Sequence, residues 1–343
     1  MTNKLEPPPF HVIPGSIVNA LLTELQPELT SIVEQAYLAH DAGQTVNPDS
    51  YFLRFPKEEA NRIIALPAAV TDSDFSPAVT GIKWIASYPD NIKAGIPRAS
   101  AVLVLNDQRS GYPYAILEAA KISSQRTAAS AALGAFWLNG QSKRAGSISF
   151  VGAGVISRNI FQLLQSEHWD LGQVYVHDTD PLSAKAFAEY AIEQHKVRVE
   201  EVALEGALGT DIVVFTTNAG TPYVIDPSVF TAGQIVLNIS LRDLSPEIIK
   251  SSYNIFDDVN HCLKANTSPH LAVQKYPGKE FLSGTLAEVI RKTIHLPRDK
   301  PIIFSPFGLG ILDLAVGYQV YSMAVKRDLA IQIPGFFAEE KRW

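Results

Sequence analysis

One stretch constrains the fold more than any other: Ser147-Ile-Ser-Phe-Val-Gly-Ala-Gly-Val-Ile-Ser157 and its continuation to Asp178. Ser147–Val151 is short, apolar, and β-branched or aromatic at most positions, the pattern of a buried strand. Gly152-Ala153-Gly154 then turns the chain. Ile156, Ile160, Leu163 and Leu164 recur on one face of a helix. Gln173–His177 reads as a second strand and ends at Asp178. Together these make a βαβ unit whose glycines let the backbone approach a pyrophosphate at a helix N-terminus. Gly152, Gly154 and the first helical residues, Val155 and Ile156, are its cofactor-binding candidates. Asp178 stands where a carboxylate accepts hydrogen bonds from an adenosine ribose. A carboxylate there repels a 2′-phosphate, and no Arg or Lys falls between it and Lys185, so the expected cofactor is NAD and not NADP. Ser157 takes the place of the third glycine of the usual pattern.

The alternation continues downstream. Asp211-Ile-Val-Val-Phe-Thr-Thr217 reads as a third strand, followed by Asn218, and Gln234-Ile-Val-Leu-Asn-Ile-Ser240 as a fourth, followed by Arg242 and Asp243. Tyr253-Asn-Ile-Phe-Asp257 is a fifth. Pro301-Ile-Ile-Phe304 leads through Ser305-Pro-Phe-Gly-Leu-Gly310 into a helix at about 311–329. Doubly wound sheets bind ligands beyond the carboxyl ends of their strands. Thr217, Asn218, Ser240, Asp243 and Gly308 all fall there. Asp243 is therefore a better site candidate than most acids of the chain, the alternative being a helix N-cap or turn carboxylate before Ser245-Pro246.

The N-terminal part reads differently. A helix over 27–43 is followed by strand-like segments at 50–55, 62–66, 78–85 and 98–105, with a hairpin loop through Asn106-Asp107 and Gly111-Tyr-Pro113. Strands in succession without helices between them imply an antiparallel sheet, hence an α+β domain separate from the dinucleotide unit. A long helical run is expected at 115–139, bridging the two domains. Lys83 sits in mid-strand among Ile82, Trp84 and Ile85. Burying an ammonium is costly without a partner, so Lys83 is either a functional group or an edge-strand lysine whose head reaches water.

A chain of 343 residues with 46% hydrophobic and 19% charged residues suits two globular domains. The net charge of −6 argues against nucleic acid as a partner. The single cysteine, Cys262, excludes an internal disulfide and a Cys-based zinc site and suits a reducing compartment. The start of the chain lacks the apolar core of a signal peptide, and nowhere do eighteen apolar residues run together as a spanning helix needs. The expectation is a cytoplasmic protein without membrane or metal.

Five motifs in order carry a family resemblance: Thr80-Gly-Ile-Lys-Trp-Ile, Gln125-Arg-Thr-Ala-Ala129, Val151-Gly-Ala-Gly, Asn238-Ile-Ser-Leu-Arg-Asp243 and Ser305-Pro-Phe-Gly-Leu-Gly-Ile-Leu-Asp-Leu314. Together they resemble the ornithine cyclodeaminase/μ-crystallin family. Tyr51-Phe-Leu-Arg54, Arg62-Ile-Ile-Ala-Leu-Pro67, Asp90-Asn91, Arg98-Ala-Ser, Leu105-Asn-Asp107 and Ile122-Ser-Ser-Gln-Arg-Thr are similar to its branch that makes L-2,3-diaminopropionate for siderophores and peptide antibiotics. The resemblance implies an α/β chain in which a Rossmann domain (131–310) is inserted in an α+β substrate-binding and dimerisation domain (1–130 plus 311–343), as a homodimer. It implies Asp243 and Lys83 as catalytic residues, and Arg54, Lys83 and Arg126 on a substrate carboxylate, with Arg98 added from the closer branch. Thr217 and Gly308 fall in segments that line the nicotinamide side. It implies NAD-dependent oxidation of an amino-acid substrate, a secondary amine linking diaminopropionate to glutamate. Asp313 has no role in this reading. A cyclodeaminase, an imine reductase or amino-acid dehydrogenase, and a non-catalytic dinucleotide binder stand as rivals.

Overall fold

The computed structural model describes residues 7–71 and 78–338. The chain forms two compact units, Met1–Arg126 with Leu309–Trp343, and Thr127–Gly308.

The first unit is built on an eight-stranded sheet. After β1 (Phe10–Ile13) come helices α1 (Gly15–Glu24) and α2 (Leu29–Asp41). The strands β2 (Thr45–Val46), β3 (Tyr51–Phe55), β4 (Glu58–Val70), β5 (Val79–Ser87), β6 (Ala99–Asn106) and β7 (Pro113–Glu118) follow. The spatial order runs from the chain's last strand, Ile331–Ile333, through β1, β7, β6, β5 and β4 to β2, with β3 also on β4. Every pair is antiparallel except β1 with β7. Burial alternates with period two: Leu66, Ala68 and Val70, Val79 and Lys83, Leu103 and Leu105, Ala115 and Leu117 are buried. This face packs on α2 and on the C-terminal helix, Gly310–Lys326. Gly317 lets that helix lie close, since a Cβ there would fall 2.1 Å from Leu103 Cδ2.

One of the two alternatives for Lys83 and one expectation fail here. β5 lies between β4 and β6, so Lys83 is not on an edge strand. The helical run expected from residue 115 begins only at α3 (Ala120–Leu138), because Ala115–Glu118 is strand. Ala115 and Leu117 point alternately into the sheet's buried face, in register with His11 and Ile13 of β1, and that pairing overrides their helix propensity. Glu118 then accepts the N–H of Ala120 at 2.7 Å and starts the helix.

The second unit carries a wholly parallel sheet. Its strands are β8 (Ser147–Val151), β9 (Gln173–His177), β10 (Val199–Glu201), β11 (Ile212–Phe215), β12 (Ile235–Asn238), β13 (Tyr253–Phe256), β14 (Leu282–Thr285) and β15 (Ile302–Ser305). They are ordered β10-β9-β8-β11-β12-β15-β13-β14. Helix α4 (Val155–Ser166) joins β8 to β9, and α5 (Pro181–His195) follows β9. The winding reverses between β8 and β11, the switch point at which such sheets bind ligands. Phe150, Phe161 and Phe187 pack α4 and α5 against the sheet, while Val151, Val213, Phe215, Val236 and Ile303 form its other core. A parallel doubly wound sheet in one unit and a mixed sheet in the other make the α/β fold class expected from the sequence. No helix among the described residues is long and apolar enough to cross a membrane.

Candidate active site

The glycine turn sits at the switch point. Gly152 has φ +95°, and a Cβ on it would lie 3.0 Å from the backbone of Thr216, just past β11. Only glycine lets these two strand ends meet. Ser157 explains the departure from the usual glycine pattern. It is fully buried, its hydroxyl donates to the Gly152 carbonyl and lies 2.6 Å from Thr216 Oγ1, and Thr216 donates to the same carbonyl at 3.0 Å. A serine therefore fastens α4 to the turn where another chain uses close packing. No side chain caps α4, whereas Asp180 caps α5. Nothing lies within 4 Å of a Cβ built on Gly154, and Val155 is exposed. The unsatisfied N–H groups of α4, an open turn and the helix dipole suit an anion such as a dinucleotide pyrophosphate. Asp178 accepts the N–H of Ala153 at 2.7 Å and that of Asp180 at 2.9 Å, so it also holds the turn in shape.

Asp243 lies past the end of β12 and is completely buried. Three hydroxyls donate to it: Thr217 and Tyr223 to Oδ1, the latter at 3.0 Å, and Ser240 to Oδ2. Hydrogen bonds to a charged acceptor contribute about 1.5–3 kcal/mol each, which offsets the cost of burying the carboxylate. Burial, followed by the charge of Asp243, pushes the Tyr223 phenol well above the usual tyrosine range. Leu241 has φ +78°, uncommon for a branched residue, and this local strain turns the loop so that Ser240 and Asp243 face each other. The hydroxyls of Thr217 and Ser240, expected to serve the cofactor, are thus spent on Asp243. Asn218 is exposed beside them. Gly308 is buried, and its N–H donates to Asp257 at 2.7 Å, alongside that of Phe307 at 2.9 Å. Arg242 turns away to the carbonyls of Ala265 and Asn266.

The cations belong to the first unit and fall into two groups on one face of its sheet. Lys83 Nζ lies 2.6 Å from Asp313 and donates to Ser123 at 3.0 Å, while Arg126 Nε reaches the other oxygen of Asp313 at 3.2 Å. Asp313 is completely buried, and Lys83 and Arg126 are 2% and 11% exposed. Burial pulls the Lys83 ammonium down to about 8, Asp313 opposes that shift and Arg126 adds to it. Four residues along β5, roughly 13 Å away by strand rise, Ser87 accepts from Arg98 Nε at 3.2 Å. Ser87 is in register with Arg62, and Arg62 with Arg54, whose guanidinium lies over the Phe52 ring. Asp313, Ser123 and Arg62 lie in motifs quoted above but carried no role in the sequence reading, and Tyr223 escaped it. Asp313 stands 230 positions from Lys83, beyond the reach of any local pattern.

The sequence profile of the ornithine cyclodeaminase/μ-crystallin family matches residues 18–328. The chain belongs to this family. One relative is N-((2S)-2-amino-2-carboxyethyl)-L-glutamate dehydrogenase of Staphylococcus aureus, 29% identical over 307 residues that span 86% of this chain and 89% of that protein. Alanine dehydrogenase of Archaeoglobus fulgidus is 28% identical over 318 residues, 90% and 94% of the two chains. Among solved structures, an archaeal alanine dehydrogenase dimer with bound NAD superposes with TM-score 0.83 at 26% identity, covering 95% of this chain and 99% of that one. Δ1-Pyrroline-2-carboxylate reductase of Thermococcus litoralis, in complex with NADH and L-proline, shares the fold with TM-score 0.85 at 22% identity over 94% and 100% of the chains. These family relatives are dehydrogenases and reductases of amino acids or their imines.

Proposed function

We propose that the protein is an NAD-dependent dehydrogenase of a CH–NH donor. Its substrate on this reading is N-(2-amino-2-carboxyethyl)-L-glutamate, cleaved to L-2,3-diaminopropionate and 2-oxoglutarate. The observation that carries the substrate is the pair of cationic groups on one sheet face, Lys83 with Arg126 and Arg98 with Arg54 and Arg62. Alanine offers one carboxylate to such a surface. The conjugate offers three, spread over two arms, and guanidinium groups grip carboxylates bidentately. The Staphylococcus aureus relative bears the name of this activity. The product amine would feed siderophore or peptide-antibiotic assembly in the cytoplasm.

In the mechanism, Lys83 and Arg126 hold one carboxylate and Arg54 and Arg98 another, which fixes the glutamate α-carbon. Gly152, Gly154, Val155 and Ile156 would hold the pyrophosphate of NAD and Asp178 its ribose; bound there, NAD would supply the hydride acceptor. Asp243 takes the proton of the substrate amine, freeing the lone pair that becomes the second bond of the imine, and then orients the water that hydrolyses it. General-base action of this kind contributes about 10²–10⁴-fold.

The other face of the first unit's sheet exposes Tyr51 and Leu53 on β3 and Trp84 on β5. Register places Tyr51, Ala65 and Trp84 in one row. We read this apolar surface as the contact between two copies of the chain, as the dimeric alanine dehydrogenase of the family suggests.

The test is a screen of purified protein with NAD against the conjugate, L-alanine, L-proline and L-ornithine, following NADH. NADH formed with the conjugate at a kcat/KM well above the others supports the reading. Preference for alanine would make the protein an alanine dehydrogenase, and ornithine consumed without net NADH would make it a cyclodeaminase.

A further inference from the structure

We propose that Tyr223 is the group through which Asp243 exchanges its proton with the reacting amine. The proposal rests on the reading of Asp243 as proton acceptor and adds the route. Asp243 has no solvent exposure, so an amine cannot touch its carboxylate without passing one of the hydroxyls around it. Tyr223 is 40% exposed, the most open of the three donors. The Thr217 oxygen already accepts the N–H of Ala219 at 3.1 Å, and Thr217 and Ser240 are both partly buried.

The tyrosine is also held in place for this task. The backbone N–H groups of Tyr223 and Val224 both donate to the Asp243 carbonyl, at 3.1 and 3.0 Å, while the phenol donates to Oδ1 at 3.0 Å. Backbone and side chain of one residue are thus fastened to the same aspartate, and Val224 is bridged to Leu244 beyond it.

The transfer balances without an ionised phenol. The ammonium N–H bond breaks as its proton passes to the phenolic oxygen. The phenolic O–H bond breaks as that proton passes to Oδ1. The amine leaves neutral with a lone pair, Asp243 becomes a carboxylic acid, and Tyr223 is unchanged. A relay of this kind suits a phenol whose ionisation is suppressed by burial and by the Asp243 charge.

The experiment compares Tyr223→Phe, Asp243→Asn and the parent enzyme, each with NAD and whichever amine turns over in the screen. Rates are measured against pH and in heavy water. Tyr223→Phe keeps the ring and is expected to bind NAD within about 2-fold while losing about 10²–10³-fold in kcat. Its kcat at saturating amine should recover toward alkaline pH, where the amine arrives deprotonated; a merely structural loss has no such recovery. If Tyr223→Phe keeps kcat within about 3-fold with an unchanged pH profile while Asp243→Asn is inactive, the relay is wrong and the base stands. If both variants are fully active, the base reading falls with it. Should the phenylalanine variant lose NAD binding, 3-fluorotyrosine at position 223 decides. A changed rate and solvent isotope effect support the relay, and unchanged values overturn it.

Discussion

Lys83 Nζ lies 2.6 Å from Asp313, and neither side chain has more than 2% of its surface exposed. The contact joins an interior strand of the mixed sheet to the first turn of the C-terminal helix. Arg126 on α3 closes the triad, so that three distant segments meet in a buried cluster of two cations and one carboxylate.

The pH dependence of turnover should report this cluster. Lys83 titrates at about 8, lowered by burial, with Asp313 and Arg126 the charged groups against it. Below that pH the ammonium is charged and, on the proposed reading, holds a substrate carboxylate; above it the charge is lost. On this account kcat/KM, which reports the free enzyme, falls on the alkaline side with a pKa near 8. Lys83→Arg, which stays charged, moves that limb upward if the variant retains activity. A flat profile to high pH would separate Lys83 from substrate binding.

Asp313→Ala should destabilise the protein by about 3–5 kcal/mol, since it leaves two buried cations uncompensated. Urea unfolding at neutral pH measures this. A loss below about 1 kcal/mol, the range of exposed ion pairs, would mean that water reaches the triad in solution.

Ser157→Gly restores the usual glycine spacing and yet is expected to weaken the protein. It removes the hydroxyl that ties α4 to the Gly152 carbonyl and to Thr216, and it adds backbone freedom inside a helix. The expected cost is about 1–3 kcal/mol, with looser NAD binding, read by thermal unfolding with and without NAD. A more stable variant would show that the serine serves no purpose at the turn.

Trp84→Glu places a charge in the apolar row on the open face of the sheet. If that row is the contact between two copies proposed above, sedimentation or light scattering should find a dimer for the parent and a monomer for the variant. Dimers that persist undiminished would move the contact to another surface.

How much was legible in advance followed the range of the forces involved. The strand, turn and helix from Ser147 to Ser166 rest on φ values and periodicities spanning a few residues, and they stand where the pattern put them. Ala115–Glu118 misled because its alanine and leucine suit a helix as well as a strand; pairing with β1, about a hundred positions away, decided it. The antiparallel character of the first domain was readable, but the place of β5 inside the sheet was not, since order across a sheet is set by contacts that no strand carries in its own sequence.

The sequence by itself determined the glycine turn between strand and helix, the doubly wound second unit and the family. Only the tertiary structure decided that Asp313 sits against Lys83 and Arg126, that Ser157 replaces a glycine by fastening the turn, and that three hydroxyls enclose Asp243. The reason is physical: local conformation is governed by neighbours along the chain. A buried charge takes its partners from whatever the fold brings within hydrogen-bond distance, and the ion pair at Lys83 spans 230 positions of sequence.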